Sequence, residues 1–200
     1  MELSNSIFNS NDILEGLIFS DGNLDLPNKN GNARYQQTSS KKGFLEWSAK
    51  YLPSTFTITG PHRVKRKYHY YLLRTPCLPL YTSIYHRWYV NNNKRIPKDF
   101  KLKRATLLAI YLSDGCLENR NFSLYNKTPN VHLGTYSLTD SDRKKFVFML
   151  EEYGFNISIK KRGDIRIKSR DLKKFFDFIG PCPRELLNVY GYKFPFIQIV

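Results

Sequence analysis

The chain predicts an α+β fold made of two pseudo-symmetric copies of one unit, each running α-ββ-α-ββ-α. Three observations carry that expectation. Residues 13–22 read Ile-Leu-Glu-Gly-Leu-Ile-Phe-Ser-Asp-Gly and residues 106–115 read Thr-Leu-Leu-Ala-Ile-Tyr-Leu-Ser-Asp-Gly, so two apolar runs end alike, with Asp21 and Asp114 spaced 93 residues apart. Each run is followed by the same alternation of strand-like and helix-like segments. The 200 residues are 41% hydrophobic and 15% aromatic, enough to bury a core, which excludes a disordered tail. The division expected is a first repeat over 1–97, a linker over 98–104 and a second repeat over 105–200. The hinge falls in the polar stretch Asn91 to Lys103.

The elements follow in order. After the first apolar helix, Asn23 to Leu26 and Ala33 to Thr38 predict two strands around the Asn-Lys-Asn-Gly turn at 28–31. A helix fits Lys41 to Leu52, with Phe44, Leu45, Trp47, Ser48 and Tyr51 near helical spacing. Thr55 to Thr59 and Arg63 to Arg74 predict a second hairpin turning at Gly60-Pro61. Thr75-Pro76 supplies an N-cap and N1 pair for a helix reaching about Tyr89.

In the second copy, Phe122 to Tyr125 and Val131 to Leu138 predict a hairpin across 126–130. Thr139-Asp140-Ser141-Asp142 offers the acceptors that start a helix burying Phe146, Met149, Leu150 and Tyr153, and Gly154 stops it. Ile157 to Lys161 and Asp164 to Lys168 turn about Arg162-Gly163. Ser169 then caps a helix carrying Leu172, Phe175, Phe176 and Ile179.

Composition narrows the class of function. The chain carries 32 Lys and Arg against 17 Asp and Glu, a formal charge of +15, and a pI near 9.7. That balance on a folded chain suits phosphate backbones. Apolar stretches such as Thr106 to Leu112 are too short to span a membrane. The first twelve residues are polar and lack Lys and Arg, so neither a secretory signal nor an Arg-rich transit peptide is expected. Cys77, Cys116 and Cys182 are odd in number and scattered, which points to a reducing compartment with no disulfide framework or zinc pattern. Lys, Asn, Ile, Tyr and Phe, all encoded by AT-rich codons, make up 77 of the 200 residues. An organelle genome is therefore an expected source, placing the protein in a mitochondrion or chloroplast, and otherwise in the cytoplasm.

The strands carry the basic side chains. In the last hairpin Ile157, Ile159, Ile165 and Ile167 alternate with Ser158, Lys160, Arg166 and Lys168, so period two sends isoleucines to one face and basic groups to the other. In the first copy Arg63, Lys65, Lys67 and His69 share a face, and Arg34, Gln36, Gln37 and Thr38 decorate the preceding strand. Tyr136 completes the candidate set. Such faces supply the bidentate donors and acceptors that read base edges in a major groove. His62, His69, His86 and His132 have no ligand spacing and read as surface or DNA-contacting groups.

The two Ser-Asp-Gly ends could be ordinary helix stops, with Gly in the left-handed cap. Yet an anionic Asp opposes the negative end of a helix, and the chain places one there twice. Small residues four apart, Gly16 and Ser20 in one helix and Ala109 and Ser113 in the other, allow close packing that brings Asp21 and Asp114 together. Paired carboxylates call for a cation, and a divalent metal answers that need.

At this point the residues resemble a known family. Leu14 to Gly22 and Leu107 to Gly115 resemble the motif of the LAGLIDADG homing endonucleases. Arg34-Tyr-Gln-Gln-Thr38 followed by Phe44-Leu-Glu-Trp47, Asn92-Asn-Lys-Arg-Ile-Pro97 before the second motif, and Tyr192-Lys-Phe-Pro195 resemble the single-chain, two-repeat, intron-encoded branch. The resemblance implies motif helices packed at the centre and sheets forming a concave DNA-binding saddle. It implies that Asp21 and Asp114 bind divalent metal, with the backbone at Ser20 and Ser113 completing the shells. Lys94 and Lys193, 99 residues apart, would lie near the scissile phosphates, and Gln37 or Thr38 would orient water. The implied activity is Mg²⁺-dependent double-strand cleavage of a long DNA site, with Mn²⁺ substituting and Ca²⁺ binding without fast cleavage. The internal repeat implies a monomer. Two alternatives share the fold: a maturase acting on host intron RNA, and an inactive DNA-binding protein. Phe19 and Leu112 replace the motif's first acidic residue and Ala109 replaces a Gly.

Overall fold

The computed structural model describes residues 8–28, 30–64, 68–118, 129–160 and 162–195. Two helices, α1 (Ser10–Phe19) and α4 (Arg104–Asp114), are the two apolar runs, and they pack against one another. Nearly every α4 side chain from Ala105 to Leu112 is buried, because this helix meets α1 on one side and its own sheet and helices on the other. Gly16 sets the approach: a Cβ there would lie 2.4 Å from the Thr106 carbonyl oxygen and 2.8 Å from the Ala109 Cβ. Only a hydrogen fits.

Each motif helix leads directly into a four-stranded antiparallel sheet. The first contains β1 (Asn23–Asp25), β2 (Arg34–Ser39), β3 (Thr57–Val64) and β4 (Tyr68–Arg74) in the order β1-β2-β4-β3. The second contains β7 (Gly115–Glu118), β8 (Asn130–Leu133), β9 (Ile157–Ile159) and β10 (Ile165–Ile167) in the order β7-β8-β10-β9. The two orders are identical position for position, so the repeat extends from the motif to the strand topology. Helices α2 (Lys42–Ala49), α3 (Pro79–Trp88), α5 (Asp140–Glu152) and α6 (Leu172–Ile179) pack around these sheets, and a short α7 (Leu187–Tyr190) follows.

Helix signals locate most elements. Thr139 accepts the Asp142 amide as an N-cap, and Gly154, at φ +72°, terminates α5 as expected. All four apolar residues expected in α6 are buried. In α5 Phe146 and Leu150 are buried, whereas Tyr153 keeps 38% of its surface exposed and reaches back to donate to the Leu102 carbonyl.

The structure corrects several expectations. Gly60-Pro61 is not the turn of the second hairpin: β3 runs through it with a register shift between Thr59 and His62, and pairs with β4 as far as Val64 and Tyr68. Thr75-Pro76 does not open α3. Thr75 Oγ1 instead accepts the Tyr35 amide, and the helix starts at Pro79 after Leu78. A strand at Gly115–Glu118 directly follows the second motif, a place the alternation did not indicate, and β8 ends at Leu133 rather than Leu138. The expected strand at 122–125 lies outside the described residues. Ile165 and Ile167 are buried, but Ile159, on the outer strand β9, is 50% exposed, with no strand among the described residues pairing beyond it.

The segment between the repeats is more structured than its polarity indicates. Tyr89–Val90 (β5) and Asn93–Lys94 (β6) form a two-residue hairpin whose central Asn91 and Asn92 have φ of 50° and 61°. Asn tolerates that left-handed geometry, which two-residue hairpins require. Ile96, Phe100 and Leu102 then enter the core, with Phe100 stacked on Phe19 at 5.7 Å between ring centroids. The three cysteines are free thiols.

Candidate active site

The end of the α1–α4 interface gathers four charged side chains. Asp21 follows the last turn of α1, and Asp114 is the last residue of α4. Packing the helices at Gly16 and Ala109 brings the two carboxylates within hydrogen-bonding reach. The glycines that follow them are not left-handed caps, as an ordinary helix stop would have them; neither has a positive φ. They are required by crowding. A Cβ on Gly22 would lie 2.6 Å from the Leu17 carbonyl oxygen and 2.7 Å from the Tyr35 hydroxyl. One on Gly115 would lie 2.2 Å from the Tyr111 ring.

Two lysines close the cluster from opposite sides. Lys94, on β6, donates from Nζ to the carbonyls of Ser20 (3.0 Å) and Gly22 (2.8 Å). Lys193, only 6% exposed, donates to the carbonyl of Leu112 (2.8 Å), with that of Tyr111 at 3.4 Å. Each ammonium therefore meets the carbonyls at the end of its own repeat's motif helix, where the helix dipole is negative. Lys193 also sits 4.4 Å from the Tyr190 ring centroid, and its backbone carbonyl accepts the Tyr111 hydroxyl at 2.5 Å.

The electrostatics follow from this crowding. Burial pushes the Asp114 carboxyl up to about 7, and the adjacent Asp21 carboxylate adds to the rise despite the opposing pull of Lys94 and Lys193. Burial lowers both lysines to about 8, against the attraction of the same carboxylates. Burial likewise raises Tyr35, with Asp21 contributing. An acid that holds its proton to about 7 beside two ammonium groups marks a carboxyl pair withdrawn from water.

The donor set bears on a metal. The donors available are hard oxygens, namely the two carboxylates and nearby backbone carbonyls, which suit Mg²⁺, Mn²⁺ or Ca²⁺ better than softer ions. Among the described residues no cluster of three or more His, Cys, Asp or Glu offers a competing centre. The Ser20 carbonyl, an expected ligand, is engaged by Lys94. The Ser113 side-chain oxygen is buried with no hydrogen-bond partner among the described residues.

The expected DNA-contacting residues divide by strand face. Asn23, Gln36, Arg74 and Thr57 form one cross-strand row and Asp25 with Arg34 the next, so Arg34, Gln36 and Thr38 share the face turned from the core. Gln37 does not belong with them. It lies between Leu73 and Tyr35 on the core face, 1% exposed, and its Oε1 accepts the Tyr35 hydroxyl at 3.0 Å, so it cannot reach a base edge. Arg63 is exposed opposite His69, and Tyr136 is 71% exposed beyond β8. Lys65 and Lys67 lie outside the described residues. In the second sheet Lys160 and Arg166 both reach Glu118, and Lys168 is exposed after β10.

Sequence reasoning missed several members of this neighbourhood. Tyr35 and Tyr190 flank the cluster, and Asp142, fully buried, accepts Arg95 Nε at 2.6 Å, tying the residue after Lys94 to the second repeat. Asp25 and Glu118 also belong to it. Their signal was present, since each lies four residues beyond its motif aspartate.

The sequence pattern of the LAGLIDADG DNA endonuclease family matches residues 11–175. An uncharacterized protein of Methanocaldococcus jannaschii is 28% identical over 116 residues, a stretch that covers 56% of this chain and 44% of that protein. Among solved structures, the homing endonuclease I-WcaI bound to its DNA recognition sequence superimposes with a TM-score of 0.67 at 17% identity, over 85% of this chain and 80% of that one. I-DmoI in complex with DNA and Mn gives 0.55 at 16% identity, over 86% and 96%. The N-terminal LAGLIDADG domain of DUF199/WhiA gives 0.54 at 16% identity, over 89% and 85%. At such identities these likenesses establish the fold, and the match over most of the chain establishes the lineage. The chain belongs to the LAGLIDADG DNA endonuclease family.

Proposed function

We propose that this protein is a site-specific DNA endonuclease that hydrolyses one phosphodiester bond in each strand of a long, asymmetric target with Mg²⁺ bound, acting as a monomer. The observation that carries the reading is the carboxylate pair. Asp21 and Asp114 are held in contact although burial, with Asp21 adding to it, raises Asp114 to about 7, an arrangement that a protein needing only to bind nucleic acid has no use for. Its relatives I-WcaI and I-DmoI, solved with DNA, support a DNA partner.

Asp21 and Asp114 would hold the cation, with carbonyls at Ser20 and Ser113 beside it. Bound there, it would lower the pKa of a water and neutralise charge on the attacked phosphate. Lys94 and Lys193, ionising near 8, are mostly cationic at pH 7. Each supplies positive charge toward one strand's phosphate and a proton for the leaving oxygen. The outward sheet faces bearing Arg34, Gln36, Thr38, Arg63, Lys160, Arg166 and Lys168 would follow the major groove on either side.

The test is cleavage of a randomised double-stranded DNA library with Mg²⁺, beside Ca²⁺ and Asp21→Asn controls. Site-specific double-strand cuts that disappear in Asp21→Asn are expected. Sequence-selective retention without cutting would instead identify a DNA-binding protein. Selective retention of a structured intron RNA, with no DNA selected, would identify a maturase.

A further inference from the structure

Two acidic side chains stand on the sheet faces that the endonuclease reading assigns to DNA. Asp25 lies four residues beyond Asp21 and Glu118 four beyond Asp114, so they occupy equivalent places on β1 and β7, the strands that leave the motif helices. Their neighbour Leu24 is buried, so Asp25 points away from the core. Glu118 shares the outward face with His132 and Arg166. A carboxylate facing a phosphate backbone is repelled by it, and here the same place carries one in both repeats.

Each carboxylate is engaged by arginine. Arg34 donates through Nε (3.0 Å) and Nη2 (2.7 Å) to Asp25 Oδ2, a side-on grip that leaves Nη1 unbonded among the described residues. Glu118 Oε2 accepts Arg166 Nη2 at 3.2 Å and lies 2.8 Å from His132 Nε2, while Oε1 accepts Lys160 at 3.0 Å. His132 Nε2 is also 3.2 Å from Arg166 Nε; one ring nitrogen either accepts that N–H or donates to Glu118, so the bond to Glu118 is the one that holds the guanidinium in either state.

We propose that Asp25 and Glu118 are specificity-determining positioning residues that hold Arg34 and Arg166 as readers of guanine, one in each half of the DNA target. This rests on the endonuclease reading. An unrestrained arginine on a basic surface swings readily to the nearest phosphate, which carries no sequence information. A carboxylate beside it repels that phosphate and fixes the guanidinium plane. The outer edge of the fork is then presented to the paired acceptors O6 and N7 of a guanine. In the second sheet Glu118 restrains Lys160 in the same way.

Selection from a randomised double-stranded DNA pool in Ca²⁺, followed by sequencing, tests this. The proteins compared are the wild type, Arg34→Ala, Asp25→Asn, Arg166→Ala and Glu118→Gln, each checked for a native thermal transition. Arg34→Ala and Asp25→Asn are expected to lose a guanine preference of about tenfold at the same base pair, and the Arg166 and Glu118 variants at a pair in the other half. Total DNA retained should fall for the arginine variants and hold or rise for Asp25→Asn and Glu118→Gln, which remove a repelled charge. Unchanged preferences, or a loss spread evenly over all positions, would overturn the inference while leaving the endonuclease reading intact. A wild type that selects no DNA sequence would sink both.

Discussion

Asp114 allows the geometry of the site to be checked without any DNA. Replacing it with Asn removes the charge and keeps the shape. In the folded protein Asp114 ionises at about 7, against 3.8 for an unburdened carboxyl, because it is buried and faces Asp21. That difference corresponds to at most about 4 kcal/mol favouring the protonated form. The sign follows from proton counts. Between pH 4 and 7 the unfolded chain has released this proton and the folded chain retains it, so stability falls as pH rises through that window and levels off above it. Asp114→Asn carries no such loss.

The assay is urea denaturation of both proteins from pH 5 to 8.5 in a chelating buffer. Near pH 5 the Asn variant should be more stable by about 1.5 kcal/mol, and by pH 8 by up to about 4 kcal/mol. Asp21→Asn should narrow the same gap without closing it, since burial of Asp114 remains. Adding Ca²⁺ at a hundred times its dissociation constant should return about 2.7 kcal/mol to the wild type and nothing to Asp114→Asn. Parallel stability curves across the whole range would show that the two carboxylates are not pressed together in the folded protein. The argument for a cation between them would fail with that result.

Two further outcomes follow from the packing. Gly16→Ala places a methyl against the Thr106 carbonyl and the Ala109 Cβ, so unfolding should become easier by about 1–3 kcal/mol, and the pH-dependent gap at Asp114 should shrink as the helices part. Native-like stability with an unaltered gap would mean the helices are not in that contact. Lys94→Met and Lys193→Met should each slow cleavage of one strand at least a hundredfold while leaving DNA retention within a few-fold, read as nicked product on strand-labelled DNA. Equal slowing of both strands by either variant would argue against one lysine serving each strand.

Much of this arrangement was legible in the sequence, and the reason is redundancy. The motif helices are read twice, each with its apolar run and its Ser-Asp-Gly end, and the small residues at Gly16 and Ala109 state how closely they meet. The hairpin pairs with alternating side chains state which face is wet, as Arg34, Gln36 and Thr38 illustrate. Legibility fails where a local signal is overruled by a distant partner. Thr75-Pro76 has the form of a helix start, but Thr75 is claimed by the Tyr35 backbone on the neighbouring strand. Gly60-Pro61 has the form of a turn, but the pairing of β3 with β4 continues past it. Gln37 is polar, yet period two within β2 places it with Tyr35 against the core, where the Tyr35 hydroxyl satisfies one end of its amide. In each case the residue type offered two uses, and only the neighbouring strand chose between them.

The lysines expose a deeper limit. Both lie in segments without periodicity, and both owe their place to contacts across the repeats. Lys94 rides on the Asn91-Asn92 hairpin, and the next residue, Arg95, is held by Asp142 at the start of α5 in the second repeat. Asp142 has no exposure to solvent, and the bonds from Arg95 and Thr139 outweigh its burial and hold its pKa below the usual 3.8, so the tie is ionised at neutral pH. Lys193 arrives by the reverse route. The chain leading to it crosses to the first repeat, where Glu185 meets Lys50 at 2.7 Å and Tyr190 packs edge-on against Phe44. Each repeat thus carries a motif helix of its own and leans on its partner to seat the lysine that meets it. Separating the repeats would leave two aspartates without a shared neighbour and two lysines without an anchor. The internal duplication is therefore a working part of the site, since the charges that balance at its centre are delivered there only when both copies are folded against one another.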